Sequence, residues 1–128
     1  VWFACDAGAA GARKEGVWDP VSVRYEDLLG GFSMDMDKGK QLEYSASSAT
    51  HAMLLTGVHL DEKGNPDRWK IENSWGKDVG DNGYFVCSEA YFRKFVYEAV
   101  ILKKHFTEDQ QKMMELEPVY INAWDEDY

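Results

Sequence analysis

Cysteine is scarce in this sequence of 128 residues, where only Cys5 and Cys87 carry a thiol. In a chain without a secretory pattern, so few cysteines favour reduced thiols and a cytoplasmic setting, although the sequence does not decide whether the two are bonded. No set of cysteines and histidines has zinc spacing, and no glycine-rich phosphate loop or calcium loop occurs. We therefore expect no metal and no cofactor.

Basic residues and long apolar runs are also few. The 14 lysines and arginines are outnumbered by 23 aspartates and glutamates, which gives a net charge of −9. An acidic surface repels phosphate backbones, so we expect no nucleic-acid partner. No apolar run has the length of a membrane span, and no signal-peptide pattern is visible, so we expect no membrane partner.

Apolar residues are nevertheless plentiful, at 45% hydrophobic and 14% aromatic. This composition is typical of a globular protein, and the length is that of one ordinary domain. The chain does not begin with methionine, and Val1 to Ala4 read as the interior of a strand. We therefore expect further residues before Val1 in the complete protein.

The central segment predicts a hairpin. The run HAMLLTGVHL, which begins at His51, has apolar residues in both alternating sets, as in a strand inside a sheet. The segment DEKGNPDR predicts a turn, and residues 69–72 predict a short antiparallel strand that brings Asn73 close to His51. A third strand is predicted at residues 83–87.

An imidazole beside a carboxamide suits one kind of chemistry. The Asn73 oxygen can accept a hydrogen bond from one ring N–H of His51, which fixes the tautomer and directs the other ring nitrogen towards a nucleophile. Asparagine takes up no proton, so it orients an imidazolium without neutralising it, as a thiolate–imidazolium pair requires. Trp75 is expected to cover the His51–Asn73 hydrogen bond and to exclude water from it.

The flanking segments predict short elements. Ser88 is a good N-cap for a helix over residues 89–93 or slightly beyond, and Thr107 for a second helix over residues 108–116. The other elements predicted are a strand at residues 1–5, a flexible loop at 6–16, a turn at 18–20, a helical or extended piece at 25–29, an exposed helical turn at 38–44 anchored by Leu42, and a strand at 97–103.

Some residues are expected to have no catalytic part. His59, at the far end of the His51 strand, is predicted to be structural, and His105 to be exposed. Met113, Met114 and Leu116 are predicted to pack on the domain or in a subunit contact. The segment SASSAT before His51 is either a low-bulk surface that substrate approaches or a plain linker.

Several motifs resemble one family. T-H-A-M, followed by W-K-I-E-N-S-W-G and G-D-N-G-Y-F, resembles the His and Asn half of a papain-like cysteine peptidase. The stretches V-W-F-A-C-D-A-G, M-D-K-G-K-Q-L, F-V-Y-E-A-V-I-L-K-K-H and L-E-P-V-Y-I-N-A-W-D resemble the bleomycin hydrolase or aminopeptidase C family. The resemblance implies the C-terminal portion of such an enzyme, with an α+β fold built on a mostly antiparallel, barrel-like sheet with short helices.

The resemblance also implies a function. It indicates a cytoplasmic cysteine aminopeptidase acting on peptides, with His51 and Asn73 catalytic, Trp75 supporting, and a homohexameric assembly. Neither Cys5 nor Cys87 has the family's nucleophile setting, so the nucleophile and its oxyanion glutamine are expected before Val1, and this segment alone is expected to be inactive. Two alternatives remain open: an endopeptidase of the same fold, and an inactive relative that only binds peptides.

The last residues carry a separate expectation. Residues 1–106 are interpreted as the β-rich half of the peptidase domain, and residues 107–128 as a helix and an arm that docks towards the active-site cleft. In the resembled family the last carboxylate of this arm positions the free amine of the substrate. The sequence matches the family through Ala123 to Asp125 and then departs from it as E-D-Y. This departure puts in question whether Asp125 and the Tyr128 carboxylate position the free amine of the substrate, which we call the register role.

Overall fold

The computed structural model describes residues 1–22, 25–33 and 35–120, and within these ranges the chain forms one mixed sheet with short helices. The strands are β1 (Trp2–Cys5), β2 (Gly11–Ala12), β3 (Val17–Trp18), β4 (His51–Leu60), β5 (Pro66–Glu72), β6 (Tyr84–Ser88) and β7 (Val96–Val100). The helices are α1 (Tyr25–Leu28), α2 (Lys38–Glu43), α3 (Glu89–Phe95) and α4 (Glu108–Met113), with a 3-10 turn at Lys103–His105.

The sheet is mostly antiparallel, as predicted. Its strand order is β2-β3-β6-β5-β4-β1-β7, and only the β3–β6 pair is parallel among the described strands. β4 lies between β1 and β5, which confirms the predicted internal strand. The predicted β4–β5 hairpin is also confirmed, and its register pairs Leu54 with Glu72.

The hairpin turn is shorter than the sequence suggested. β5 begins at Pro66 and not at residue 69, so the turn covers only residues 61–65. The Asp61 carboxylate accepts hydrogen bonds from the backbone N–H groups of Lys63 and Asn65, both at 2.8 Å. An aspartate that caps its own turn in this way lets the strands begin sooner, and Pro66 occupies a first-strand position, where its missing N–H is tolerated.

Alternate residues of the strands form one core on a single face of the sheet. The register aligns Phe3 with Met53 and Ile71 with Phe85, and all four are almost fully buried. Trp18 and Tyr91 complete this layer from β3 and α3. Because side chains alternate along a strand, this row of apolar residues fixes the register between neighbouring strands.

The loop before β3 is more ordered in the structure than its composition suggested. Residues 6–16 were predicted to be a flexible loop, but they contain β2, which pairs with β3 through Gly11 and Trp18. Trp18 was assigned to a turn; instead it ends β3 and is 1% exposed. The burial of its indole in the core outweighs the turn preference of the Asp19 and Pro20 that follow.

The predicted starts of α3 and α4 are confirmed, but the predicted buried side of α2 is wrong. Ser88 caps α3 by accepting from Tyr91 N at 3.2 Å, and Thr107 caps α4 with a capping box. In α2, however, Gln41 is buried and the predicted anchor Leu42 is 51% exposed. The Gln41 side chain donates to Met36 O at 2.8 Å, and this hydrogen bond allows a polar residue to take the inner position.

The last described segment differs from the prediction. β7 covers Val96–Val100 and not residues 97–103, because Val96 is buried and pairs with Cys5. α4 ends at Met113, and Met113, Met114 and Leu116 are exposed, so they do not pack on this domain. The predicted subunit contact stays a prediction. No helix in residues 1–22, 25–33 or 35–120 has the length and apolar character to span a membrane.

Candidate active site

Two strands of the hairpin position the central pair of side chains. His51 is the first residue of β4, and Asn73 directly follows β5. His51 Nε2 lies 2.9 Å from Asn73 Oδ1, so the predicted neighbours are in hydrogen-bond contact. The antiparallel pairing produces this contact, because the end of β5 returns to the start of β4.

The backbone fixes which end of the Asn73 carboxamide faces His51. The N–H of Ser74 donates to Asn73 Oδ1 at 2.8 Å, so this atom must be the carbonyl oxygen. An oxygen only accepts here, so His51 Nε2 carries the proton and the neutral ring has its lone pair on Nδ1. In the described part of the chain, Asn73 Nδ2 is buried without a partner.

The loop after Asn73 is held by a second backbone contact. Asn73 N donates to Gly83 O at 3.1 Å, and Gly83 has a φ of 88°. This left-handed conformation is one that glycine adopts without a steric penalty. The loop can therefore turn back and present both Asn73 and Trp75 to His51.

Aromatic rings enclose the pair on one side. The Trp75 indole stacks on the His51 ring, with centroids 5.0 Å apart and planes 17° from parallel. Trp18 and Phe85 meet Trp75 edge-on from the core, at 5.9 and 5.7 Å. Trp75 therefore lies beside the imidazole, and the core rings hold its orientation; its cover over the His51–Asn73 hydrogen bond stays a prediction.

A pocket of about 480 Å³ opens at His51. Its lining includes His51, Trp75, Thr50, Arg13 and Gly11. The guanidinium carbon of Arg13 lies 4.4 Å from the centroid of a Trp75 ring, a cation–π contact. The imidazole and the guanidinium thus both contact the same indole.

The glycine-rich loop forms one wall of this pocket. Trp18 Nε1 donates to Ala7 O at 3.2 Å, which ties the loop to the core. A Cβ at Gly11 would lie only 2.5 Å from Trp18 Nε1, so a larger residue there would displace the indole. The absence of a side chain at Gly11 therefore lets the loop lie close to Trp18.

The segment before His51 is anchored and is not a plain linker. Thr50 N donates to Cys5 O at 2.9 Å, and Thr50 Oγ1 accepts from Ala7 N at 3.1 Å. Ser47 donates to the Asp6 carboxylate at 2.7 Å. The small hydroxyl side chains therefore join this segment to the glycine-rich loop that also lines the pocket.

Neither cysteine resembles an activated thiol. Cys5 and Cys87 are both free and fully buried. Burial raises the pKa of both thiols, that of Cys87 to about 12. A thiol that is protonated at neutral pH is a poor nucleophile, so these properties agree with the structural role predicted for both.

The remaining predicted residues lie away from the site or beyond the described ranges. His59 is exposed and its Nδ1 lies 2.6 Å from Asp67 Oδ1, and His105 is exposed, as predicted. Asp125 and Tyr128, the predicted register residues, lie outside the described residues. Within the described ranges, no three histidine, cysteine or acidic side chains are grouped to hold a metal ion.

Two of the larger pocket residues, Arg13 and Trp18, were not predicted from the sequence. They approach His51 only because β2 and β3 join the sheet edge, and no local motif signals that pairing. Thr50 belongs to the segment for which the sequence left a surface role open, and it does line the pocket.

Comparison with known proteins gives the chain a family context. The model of the Peptidase C1-like family matches residues 1–126. The chain is 38% identical to Aminopeptidase C of Listeria monocytogenes over 125 residues and 38% identical to Bleomycin hydrolase of Gallus gallus over 128 residues, covering 98% of this chain in both cases. It spans only 28% of the length of each relative.

A solved structure supports the same assignment. The crystal structure of PepW from Lactobacillus rhamnosis HN001 superposes with a TM-score of 0.83 at 43% sequence identity, over 89% of this chain and 25% of that one. This match confirms the predicted α+β, papain-like fold class, and the relatives confirm the resemblance seen in the motifs.

Proposed function

The chain belongs to the Peptidase C1-like family, and we propose that it carries the histidine and asparagine of a cysteine aminopeptidase that hydrolyses peptide amide bonds. The observation that carries this proposal is the His51–Asn73 hydrogen bond, 2.9 Å long, beside the stacked Trp75. Its geometry leaves Nδ1 of a neutral His51 free to accept a proton.

The proposed mechanism follows from this tautomer. His51 Nδ1 accepts the proton of a cysteine thiol supplied by residues before Val1, and the thiolate attacks the substrate carbonyl carbon. A C–S bond forms, the C–N bond breaks, and His51 returns the proton to the leaving amine. Water then attacks the thioester with His51 again as base, which releases the acid and restores the thiol.

Asn73 and Trp75 have positioning roles in this proposal. Asn73 accepts from His51 Nε2 in both protonation states of the ring, so the ring keeps one orientation as the charge changes. The carboxamide adds no charge, so it does not neutralise the imidazolium that accompanies the thiolate. The Trp75 ring excludes water from one side of the imidazole, which strengthens the hydrogen bonds there.

The proposed compartment, assembly and role of the C-terminal arm come from the resemblance. We propose a cytoplasmic enzyme with a homohexameric assembly, in which the C-terminal arm positions the free amine of the substrate through Asp125 or the Tyr128 carboxylate. The two free, buried thiols agree with a reducing compartment. Deleting residues 123–128 from the complete protein should then allow internal cleavage; an unchanged cleavage position would favour an endopeptidase that does not use this arm.

The test is hydrolysis of fluorogenic aminoacyl amides by the complete protein. His51→Ala is expected to lower kcat by at least about a thousandfold, since losing the base of a catalytic unit removes most of the rate enhancement. His59→Ala is the matched control, because it removes a histidine from the other end of β4, where the ring is exposed. Equal activity in both variants would refute the proposed role of His51, and an inactive complete protein with peptide binding intact would favour the binding-only alternative.

A further inference from the structure

Arg13 lines the His51 pocket and has no anionic partner among the described residues. It makes no ion pair or side-chain hydrogen bond with the described residues, and its guanidinium lies over the Trp75 ring. It is also the one permanently charged side chain among the described residues that line this pocket. Arg13 is exposed, so its guanidinium is accessible to a ligand in a chain whose net charge is −9.

The contact with the Trp75 ring uses none of the N–H groups of Arg13 in a hydrogen bond to a described residue. These N–H groups lie in the plane of the guanidinium and point outward from its edges. Two parallel N–H groups on such an edge match the two oxygens of a carboxylate. The contact with Trp75 also restricts the long side chain, so less conformational entropy is lost when a ligand binds.

The position of Arg13 places it beside the part of the substrate that leaves when the scissile bond is cleaved. Under the proposed function, His51 protonates the leaving amine, so the residues beyond the scissile bond must lie against His51 and its neighbour Trp75. An extended peptide advances about 3.3 Å per residue, so the first or second leaving residue reaches the indole on which Arg13 lies. The net negative charge of the rest of this chain would repel an anionic peptide, and Arg13 supplies the opposite charge locally.

We propose that Arg13 is a specificity-determining residue that binds a carboxylate in the leaving part of the peptide. This inference rests on the proposed function. The carboxylate has two sources: an acidic side chain one or two residues after the scissile bond, or the C-terminal carboxylate of a very short peptide. Both place the same planar anion opposite the same guanidinium edge.

The experiment measures kcat/KM of the complete protein with paired substrates. Leu-Glu amide against Leu-Gln amide isolates the side-chain carboxylate, and Leu-Ala acid against Leu-Ala amide isolates the terminal one. We expect the wild type to favour the charged member of at least one pair by about fivefold, the range of a partly exposed charge pair. The pair that shows the preference identifies the source.

Variants test whether Arg13 causes the preference for the charged substrate. Arg13→Ala should bring the ratio to about one, whereas Arg13→Lys should keep part of it, because lysine has the charge but not the bidentate fork. The matched control is Lys14→Ala, which removes the neighbouring positive charge and should keep the wild-type ratio. A wild type with no preference in either pair, or a preference that survives in Arg13→Ala, would overturn the assignment.

A measurement of peptide binding distinguishes a failure of the Arg13 assignment from a failure of the proposed function. If the wild type cleaves none of the four peptides, the proposed function fails, and the affinities of the same peptides are measured by tryptophan fluorescence. The Arg13 assignment then stands if a charged peptide binds the wild type more tightly than it binds Arg13→Ala, and it fails if the two affinities are equal.

Discussion

His51 and His59 lie in the same strand and have different partners. The His51 ring contacts a carboxamide and is stacked under an indole, whereas the His59 ring is exposed and contacts the Asp67 carboxylate at 2.6 Å. A carboxylate stabilises the charged ring and compensates its charge, but a carboxamide only fixes its orientation. The partners, more than the residue type, thus make His51 the candidate base.

Asn73 provides the first residue-scale prediction. In the complete protein, Asn73→Ala should lower kcat by about a hundredfold with a smaller effect on KM, because the ring loses the acceptor that holds its orientation. Asn73→Asp keeps an acceptor at the same place but adds a charge, so it should retain more activity and shift the pH profile. Unchanged kcat in Asn73→Ala would remove Asn73 from the proposed mechanism.

Cys87 provides a prediction about pH and stability. Burial raises the pKa of its thiol from 9.0 to about 12 in the folded chain. The neutral thiol is therefore favoured by folding; this contribution is complete below pH 9 and is lost as the pH rises towards 12. The free energy of unfolding should fall by up to about 1.4 kcal/mol per pH unit for this group.

The measurement is urea unfolding at a series of pH values between 8 and 11. Burial also raises the pKa values of Cys5 and Tyr91, which add to the same trend. Cys87→Ala should therefore show a shallower loss of stability with pH than the wild type, although it starts from a lower value. Identical slopes would show that Cys87 does not titrate in this range.

The first residues of α3 and α4 are fixed by local chemistry, whereas the bounds of other elements depend on packing against distant segments. Ser88 and Thr107 were recognised as N-caps from the sequence, and both cap their helices in the structure. An N-cap is a contact between residues three positions apart, so it can be predicted locally. The start of β7 at Val96 and the burial of Trp18 depend on distant partners, and these predictions were wrong.

Ser88 and Thr107 also provide the element-scale prediction. Ser88→Ala should lower the free energy of unfolding by about 1–2 kcal/mol, because it loses the α3 cap and a 2.9 Å hydrogen bond to Asp19. Thr107→Ala is the control: it removes an equivalent cap from α4, which has no buried residue. Its effect on global unfolding should be below about 0.5 kcal/mol; equal losses in a denaturant titration would contradict the distinction.

At the scale of the whole molecule, the chain spans 28% of the length of its curated relatives. The pocket at His51 contains no thiol among its described lining residues. Cys5 and Cys87 are buried in the core, where their raised pKa values oppose thiolate formation. The proposed mechanism therefore assigns the nucleophile to neither Cys5 nor Cys87.

This assignment predicts that the 128-residue chain alone hydrolyses no peptide. The same fluorogenic amides that test the complete protein should give turnover at the uncatalysed rate, since a triad without its nucleophile loses several orders of magnitude. Turnover by the isolated chain that a thiol-reactive peptide analogue abolishes would contradict the prediction. It would also require Cys5 or Cys87 to become accessible.

The sequence alone determined the hairpin, the caps of α3 and α4 and the neighbouring positions of His51, Asn73 and Trp75. These features follow from alternation, turn residues and short motifs, whose physical causes act within a few residues or across one antiparallel pair. Only the tertiary structure decided that β2 and β3 join the sheet, that Trp18 enters the core and that Arg13 lies over Trp75. Those contacts depend on burial between distant segments, and local sequence carries no record of which distant surface will cover a given residue.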